Sequence, residues 1–168
     1  MVRDARREDA AAIARVHTRS WQVAYAHLFP AEALAGISVE RRAAWWAEWL
    51  PASRPRAAII VAEVEGEVRG FASVGAARER DRLGELHAIY VDPDHWGAGL
   101  GRALIAEADE RLRAADFDEA ILWVLEDNPR TRRFYEAAGW SDDGGSKRET
   151  YLGTEVSVVR YRKRLAGR

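Results

Sequence analysis

The chain of 168 residues contains no cysteine and only four histidines. Without cysteine it has no disulfide framework, no thiol nucleophile and no thiolate ligand for a metal ion. The histidines stand at positions 17, 27, 87 and 95, and no two of them have the HxxxH or HExxH spacing of a histidine-built zinc site. The sequence therefore predicts chemistry that uses neither a thiol nor a bound metal.

The sequence also lacks an excess of one charge and a long apolar run. Its 26 Lys and Arg residues nearly balance 27 Asp and Glu residues, whereas a dedicated nucleic-acid binder is normally strongly basic. Ala57–Ala62, among the longest apolar runs, is far shorter than the ~20 residues of a membrane-spanning helix. Met1–Asp9 is charged and lacks the apolar core of a signal peptide. We therefore expect a cytoplasmic protein that binds neither nucleic acid nor membrane.

The length and the composition are those of an ordinary globular protein. One domain fits comfortably into 168 residues, and two would not. An apolar fraction of 48% excludes a disordered chain. No internal repeat, linker or low-complexity segment divides the sequence. We therefore expect residues 1–168 to form a single domain.

Hydrophobic periodicity separates the chain into helices and strands. The predicted strands are Val2–Ala5, Ala57–Val64, Val68–Ala76, Gly84–Val91, Glu119–Leu125 and Val156–Tyr161. The predicted helices are Ala10–Tyr25, Ala31–Ala35, Val39–Leu50, Gly99–Ala115 and Pro129–Ala138. Arg78–Arg82 is predicted to be a solvated connection, and Pro51 and Pro55 to bracket a loop. A hairpin followed by a β-α-β crossover requires antiparallel and parallel neighbours, so the predicted fold class is α/β, with a mixed sheet and helices on both faces.

A glycine-rich segment joins the predicted strand Gly84–Val91 to the helix that follows it. Gly97, Gly99 and Gly101 stand at alternate positions, and each removes a Cβ atom where the backbone must come close to another group. The amides of a helix's first turn point at one spot with a positive partial charge. Arg102 is placed to add a charged contact. The segment therefore predicts an anion site, and the anion we expect there is a pyrophosphate.

The glycine spacing separates this segment from two common phosphate sites. A Walker A loop needs a lysine after its second glycine, and the segment contains none. A dinucleotide fingerprint needs Gly-x-Gly-x-x-Gly, and the spacing here is one residue short. The glycines alone would equally fit a structural turn. The strand before them and the helix after them favour the anion site.

Two motifs in this order resemble those of the GNAT superfamily of N-acetyltransferases. Trp96-Gly97-Ala98-Gly99-Leu100-Gly101 resembles its Arg/Gln-x-x-Gly-x-Gly/Ala signature, with Trp96 where Arg or Gln is usual, and Leu86–Pro93 looks like its fourth strand. The opening, Arg7–Tyr25, is similar to the N-terminal helices of bacterial members. The family's second conserved block is matched by Leu122-Trp123-Val124, Asn128, Phe134, Tyr135, Gly139 and Trp140.

The resemblance implies acetyl transfer from acetyl-CoA to an amine by direct attack, on a mostly antiparallel sheet with one splayed parallel pair of strands. It implies that Ile89, Tyr90 and Val91 contact the pantetheine arm, that Asn128 contacts the cofactor and that Tyr135 lies beside the sulfur. The residues that it implies for the pyrophosphate are Trp96, Gly97, Ala98, Gly99, Leu100, Gly101 and Arg102.

A general base is also needed, because an amine with a pKa near 10.4 is protonated at neutral pH, and baring it costs up to about 4.6 kcal/mol. Glu85 and His87 lie two apart on a predicted strand, so both face the same side. We predict Glu85 as the base, acting through water. His87 and water alone remain alternatives. Without the resemblance to the family, we would interpret Glu85 as a solvated charge and Tyr135 as a core residue.

Aromatic residues are concentrated in the N-terminal helices. Core packing is the first explanation for them, and an aromatic wall for the acceptor is the second, since these helices flank the acceptor site in the family. The aromatic residues concerned are Trp21, Tyr25, Trp45, Trp46 and Trp49. Trp123 stands where ribosomal-protein N-terminal acetyltransferases of the family carry a glutamate, and it is predicted to be buried in the sheet.

The function predicted from the sequence is that of an acetyl-CoA-dependent N-acetyltransferase acting on a primary amine of a small molecule or peptide. Two alternatives stay open: a non-catalytic acyl-CoA binding module, and a nucleotide-phosphate binder that uses the same glycine loop. The predicted partners are acetyl-CoA and an amine acceptor, in a monomer or a homodimer.

Overall fold

The computed structural model describes residues 1–50 and 54–165, so Pro51 of the predicted loop lies outside the described residues. The α-helices are α1 (Ala10–Ala24), α2 (Ala31–Ala35), α3 (Val39–Trp49), α4 (Leu100–Ala114) and α5 (Pro129–Ala137). The strands are β1 (Val2–Asp4), β2 (Ala58–Val64), β3 (Glu67–Ala77), β4 (Arg80–Val91), β5 (Glu119–Leu125), β6 (Ser141–Tyr151) and β7 (Thr154–Arg164). Short 3₁₀ turns at Arg7–Asp9 and Pro93–His95 precede α1 and α4.

The strands form one sheet in the order β1-β2-β3-β4-β5-β7-β6. All neighbours are antiparallel except β4 and β5, which pair in parallel at Gly84 with Ala120 and at Glu85 with Ile121. Beyond Glu85 the register of this pair ends, while β4 stays paired with β3 as far as Val91 opposite Gly70. The predicted α/β fold class, with a mostly antiparallel sheet and a splayed parallel pair, is confirmed.

Helices cover both faces of the sheet. α1 and α3 pack on one face, where Ile13 and Trp46 bury against Phe71 of β3. α4 packs on the other face through a stripe at helical spacing that includes Leu104 and Leu112, both at most 1% exposed. β4 therefore has a helix layer on each side. Its carboxyl end leads into the glycine-rich segment.

The helix ends follow from local sequence. The Ser38 hydroxyl accepts a hydrogen bond from the amide of Arg41 at 3.1 Å and so caps α3. The Asn128 side chain caps α5 by accepting the amide of Thr131 at 3.3 Å, with Pro129 in the first helical turn. Gly139 ends α5 with a φ of 89°, a conformation that favours glycine.

The prediction for the strands is wrong at one boundary and lacks one strand. The Arg78–Arg82 connection is a tight hairpin turn, because β3 runs to Ala77 and β4 begins at Arg80. No residues were assigned to β6 from the sequence, since its Asp, Gly, Ser and charged residues have the composition of a loop. Pairing with β7 at the edge of the sheet makes it a strand.

No helix in residues 1–50 and 54–165 combines the length and the apolar character needed to cross a membrane.

Candidate active site

A cleft of about 1170 Å³ opens where β4 and β5 separate. One end, which we call the glycine end, is lined by Trp96, Gly97, Gly99, Leu100, Gly101 and Arg102. The other end, which we call the aromatic end, is lined by Trp21, Tyr25, Trp45, Trp123 and Tyr151. Tyr90, Glu85 and Tyr135 also line the cleft. The separation of the two strands thus brings the residues of both sequence motifs to one cavity.

The three glycines of the glycine end have two different roles. Gly97 and Gly99 have φ angles of 81° and 85°, and a Cβ atom at either would meet no atom within 4 Å. Their backbone therefore faces open space in a conformation that disfavours other residues. A Cβ atom at Gly101 would lie 3.2 Å from the Phe134 ring. Gly101 therefore serves the close packing of α4 on α5.

Trp96 fastens the glycine end to the last residue of β4. Its indole N–H donates to the carbonyl of Val91 at 2.8 Å, and the Ser20 hydroxyl donates to the same carbonyl at 3.0 Å. The guanidinium of Arg130 lies 4.1 Å from the centre of the Trp96 ring. The residue that replaces the usual Arg or Gln therefore holds the loop through its side chain.

The two sides of β4 face different surroundings. Ile89 and Val91 are partly buried against the core beneath α4, and Tyr90 packs on the opposite face against Phe71. Tyr90 accepts a hydrogen bond from the indole of Trp21 at 3.1 Å. All three β4 residues line the cleft. Because pairing with β5 ends at Glu85, the backbone groups of this stretch that turn away from β3 lack a strand partner.

Tyr135 is 7% exposed. Its ring lies 5.4 Å from that of Phe134 and 6.3 Å from that of Tyr161. No hydrogen bond joins its hydroxyl to another side chain in the described part of the chain. Burial, followed by the neighbouring Tyr90, raises the pKa of Tyr135 above its ordinary value. The hydroxyl is therefore protonated and free to donate into the cleft.

Glu85 and His87 face the same side of β4, as predicted. Glu85 is 8% exposed, and its carboxylate accepts the amide of Arg78 at 3.3 Å. His87 Nδ1 lies 3.5 Å from Glu85 Oε1. His87 stands at a β-bulge. Ser73 of β3 pairs with Ala88 and Val74 pairs with Leu86, so His87 between them has no partner residue on β3.

Asn128 lines the cleft and Ala98 does not, although both were predicted to bind the cofactor. Asn128 is 8% exposed and lines the cleft, with its side-chain oxygen occupied by the cap of α5. Ala98 lies exposed in the glycine loop, outside the cleft lining, and its amide donates to the carbonyl of His95.

The aromatic residues of the N-terminal helices divide between core and cleft. Trp46 is 4% exposed and belongs to the core. Trp21, Tyr25 and Trp45 line the aromatic end, and Trp45 is 47% exposed at its rim. Trp49 packs on Trp45 with ring centres 5.0 Å apart. Core packing therefore accounts for Trp46, while Trp21, Tyr25 and Trp45 belong to the wall of the cleft.

The prediction that Trp123 is buried in the sheet is wrong. Its ring is half-buried and lines the aromatic end, with the ammonium of Lys147 at 4.1 Å from the ring centre. Lys147 in turn forms an ion pair with Glu149 at 2.8 Å. Both residues belong to β6, so the strand that the sequence did not reveal supplies part of the wall. Sequence composition offered no signal for either side chain.

Two groups beside the aromatic end were also missed. His17 on α1 packs its ring 4.7 Å from that of Tyr90. Burial, and secondarily the charge of Arg42, lowers the pKa of His17 to about 3, so the imidazole is neutral. Arg42 on α3 lies over Trp21, with its guanidinium carbon 5.6 Å from the ring centre. Among the described residues, no cluster of His, Asp and Glu has the arrangement of a metal site.

The comparison with known proteins agrees with this geometry. The sequence model of the acetyltransferase (GNAT) family matches residues 11–140. The uncharacterized N-acetyltransferase YuaI of Bacillus subtilis (strain 168) is 37% identical over 139 residues, which cover 81% of this chain and 77% of the relative. The L-amino acid N-acyltransferase MnaT of Escherichia coli (strain K12) is 29% identical over 143 residues, which cover 83% and 78%.

A solved structure shares the fold over almost the whole length. The yncA protein of Salmonella typhimurium, whose structure was solved with its cofactor acetyl-CoA, has a TM-score of 0.74 at 22% identity, covering 100% of this chain and 95% of that one. A family model that matches most of the chain, a relative of this similarity and a shared fold lead to one conclusion. The protein is a member of the GNAT family of acetyltransferases.

Proposed function

We propose that this protein is an acetyl-CoA-dependent N-acetyltransferase, a single catalytic domain that acetylates a primary amine of a small molecule or peptide. The observation that carries the proposal is the cleft between β4 and β5. It has the open backbone of Gly97 and Gly99 at one end, and Glu85 and Tyr135 are also among the residues that line it.

The residues present fit acetyl-CoA. The first-turn amides of α4 and the open space beside Gly97 and Gly99 suit a pyrophosphate, with Arg102 at the surface nearby. The unpartnered backbone of Ile89–Val91 suits the amide groups of pantetheine, which would bind there as an added strand. When bound, acetyl-CoA supplies the acetyl group as a thioester and leaves as a thiol.

Tyr135 is proposed to donate a hydrogen bond to the sulfur that departs. Its raised pKa keeps the hydroxyl protonated at neutral pH. A thiol pKa near 8.5 lies below even the ordinary tyrosine value of about 10, so complete proton transfer from Tyr135 would be uphill by more than about 2 kcal/mol. A hydrogen bond that strengthens as charge develops on the sulfur is sufficient to speed the reaction.

Glu85 is proposed to receive the proton of the amine, through water. Its carboxylate is held by the amide of Arg78 and lies beside His87 Nδ1. This arrangement fixes the carboxylate on the cleft side of β4, and it places an imidazole within reach of the same proton.

The aromatic end is proposed to bind the acceptor. It is walled by the aromatic rings that line this part of the cleft. The relative MnaT is named an L-amino acid N-acyltransferase, and a cleft of this kind supports an acceptor that is a small amine.

The test is release of free thiol from acetyl-CoA in the presence of a panel of amines. We expect release that depends on both the protein and the amine. Acetyl-CoA binding without release from any amine would contradict catalysis and identify an acyl-CoA binding module. Binding of adenine nucleotides in preference to CoA would contradict the donor and identify a nucleotide-phosphate binder.

A further inference from the structure

Lysine is rare in this chain, and one of its two lysines lies in the cleft. Lys147 and Lys163 are the only lysines among 168 residues. Lys163 lies on the face of the sheet that α4 covers, with Nζ 2.5 Å from Asp109 Oδ2 and 2.6 Å from the carbonyl of Ala138. Lys147 lines the cleft, and its side chain is 36% exposed. The protein therefore carries a primary amine of its own in the cavity proposed for an amine acceptor.

The strand registers place Lys147 on the same side of the sheet as Glu85. Glu85 pairs with Ile121 of β5, and Trp123 follows Ile121 by two residues, so the three side chains share one face. Two residues of a strand span only about 6.6 Å. The ammonium of Lys147 lies 4.1 Å from the centre of the Trp123 ring. The amine therefore reaches the part of β5 that follows the level of Glu85, where the two strands separate.

The contacts of Lys147 hold its ammonium weakly. Nζ forms an ion pair with Glu149 Oε1 at 2.8 Å, and both side chains are about one-third exposed. The energy of such an exposed pair is between about 0 and 1 kcal/mol, and that of a cation over an exposed ring is about 0.5 to 1 kcal/mol. Baring an amine at neutral pH costs more, up to about 4.6 kcal/mol, and every acceptor must meet that cost. Lys147 is therefore nearly as free to react as an amine that enters from solution.

We propose that Lys147 is a site of self-acetylation, where its amine takes the acetyl group of acetyl-CoA bound in the same cleft. The bond that forms joins Nζ to the acetyl carbon, and the bond that breaks joins that carbon to the sulfur of CoA. Of the two protons that the ammonium gives up, one leaves with CoA as its thiol and the other passes to solvent through Glu85 and water. The inference rests on the proposed function for the acetyl donor, and it goes beyond that function by assigning a modification site on the protein itself.

Mass spectrometry of the intact protein tests this site, because each acetyl group adds a fixed mass to the chain. The wild-type protein is incubated with acetyl-CoA and no amine acceptor. We expect one acetyl group per chain, assigned to Lys147 by peptide mapping, at a rate that does not depend on protein concentration. In protein unfolded by urea, Lys147 and Lys163 should react equally. Both should then react at least about 10-fold more slowly than Lys147 in the folded protein, because the cleft no longer brings the reactants together.

The matched control moves the lysine by one residue along β6. The double variant Lys147→Arg with Arg148→Lys keeps the composition and turns the amine to the opposite side of the strand, where the side chain at position 148 is 65% exposed. We expect the double variant to lose the fast addition, and Lys163→Arg to keep it. Tyr135→Phe should slow the addition about 10- to 1000-fold, because it removes the donor proposed for the departing sulfur. Circular dichroism would verify that each variant is folded.

The outcomes also separate this inference from the proposed function. Thiol release that depends on an added amine, without addition to Lys147, would overturn the inference and support the function. Addition to Lys147 without thiol release from any added amine would support the inference and contradict transfer to a separate acceptor. Equally fast addition to Lys163 or to the moved lysine would mean that acetyl-CoA reacts with exposed amines outside the cleft, and it would overturn the inference. So would a rate that Tyr135→Phe does not change or that rises with protein concentration.

Discussion

At the level of single residues, Tyr135 is held as a donor by its burial. Tyr135→Phe removes one oxygen and keeps the ring packed between its neighbours. We expect kcat to fall about 10- to 1000-fold, or about 1.4 to 4 kcal/mol, with CoA affinity nearly intact. Steady-state kinetics and calorimetry with CoA would measure both quantities. An unchanged kcat with a lower melting temperature would show instead that Tyr135 is only a core residue.

Glu85 is the residue whose replacement should alter the pH profile. Glu85→Gln keeps the shape of the side chain and its contact with the Arg78 amide, but it removes the base. We expect kcat/KM to fall most at neutral pH and to recover at high pH, where more of the amine is already deprotonated. The measurement is kcat/KM between about pH 6 and pH 10 for the wild type and the variant.

The control for Glu85 is Glu48→Gln, which removes an exposed carboxylate from α3. It should leave the pH profile unchanged. A loss of activity in Glu85→Gln that is the same at every pH would mean that the carboxylate binds or orients the acceptor and does not take its proton.

Single residues also show which features of the site could be predicted from the sequence and which could not. The predicted pair of Glu85 and His87 on one side of β4 is found, with His87 at a β-bulge that the sequence did not reveal. Trp123 was predicted to be buried, and its exposure to the cleft depends on how far β5 moves away from β4. That separation is a property of the whole sheet, which the residues near Trp123 do not encode.

At the level of elements, the glycine loop makes a prediction with an internal control. Gly99 and Gly144 have φ angles of 85° and 84°, and a Cβ atom at either would meet no atom within 4 Å. Valine at either position is therefore strained to a similar degree, about 1 to 2 kcal/mol from the backbone. Gly99→Val should abolish CoA binding in calorimetry, because its side chain would fill the space beside the first turn of α4. Gly144→Val, in β6, should bind CoA normally. Equal CoA affinity in both variants, each folded by circular dichroism, would place the phosphate site elsewhere.

Helices and core strands were predictable from periodicity, and β6 was not. α4 shows its buried stripe in the sequence, and Ser38 marks the start of α3. β6 has mostly exposed residues and, in the part of the chain that the structure describes, pairs only with β7, so no buried face imposes an alternating pattern. The side chains that β6 brings to the cleft, Lys147 and Glu149, could be found only after the sheet was assembled.

At the level of the whole molecule, His17 links pH to folding. The pKa of His17 is about 3 in the folded protein, against 6.5 for an imidazole that is not buried, as in the unfolded chain. Between these two values the unfolded chain binds a proton that the folded chain does not bind. This contribution to stability is complete above about pH 6.5 and is lost as the pH falls toward 3. It amounts to about 2 kcal/mol between about pH 8 and pH 5.

The variant His17→Gln isolates this contribution, because glutamine does not titrate. Denaturant unfolding would measure the free energy of unfolding of both proteins at several pH values. On acidification from about pH 8 to about pH 5, we expect the wild type to lose about 2 kcal/mol more of this free energy than the variant. A difference that stays constant with pH would show that the imidazole titrates in the folded protein as it does in the unfolded chain.

The short parallel register between β4 and β5 divides the sheet into two halves. Within the described residues, Gly84 and Glu85 make the only ladder contacts that join β1–β4 to β5–β7. Amide hydrogens of Leu86–Val91 that face the gap should therefore exchange with deuterium through small local openings, faster than those of the fully paired β3. CoA bound along this edge would slow that exchange and raise the cost of separating the halves. The acyl donor would then act as a temporary eighth strand, and the gap between the two halves would be bridged beyond Glu85 only while the protein holds its substrate.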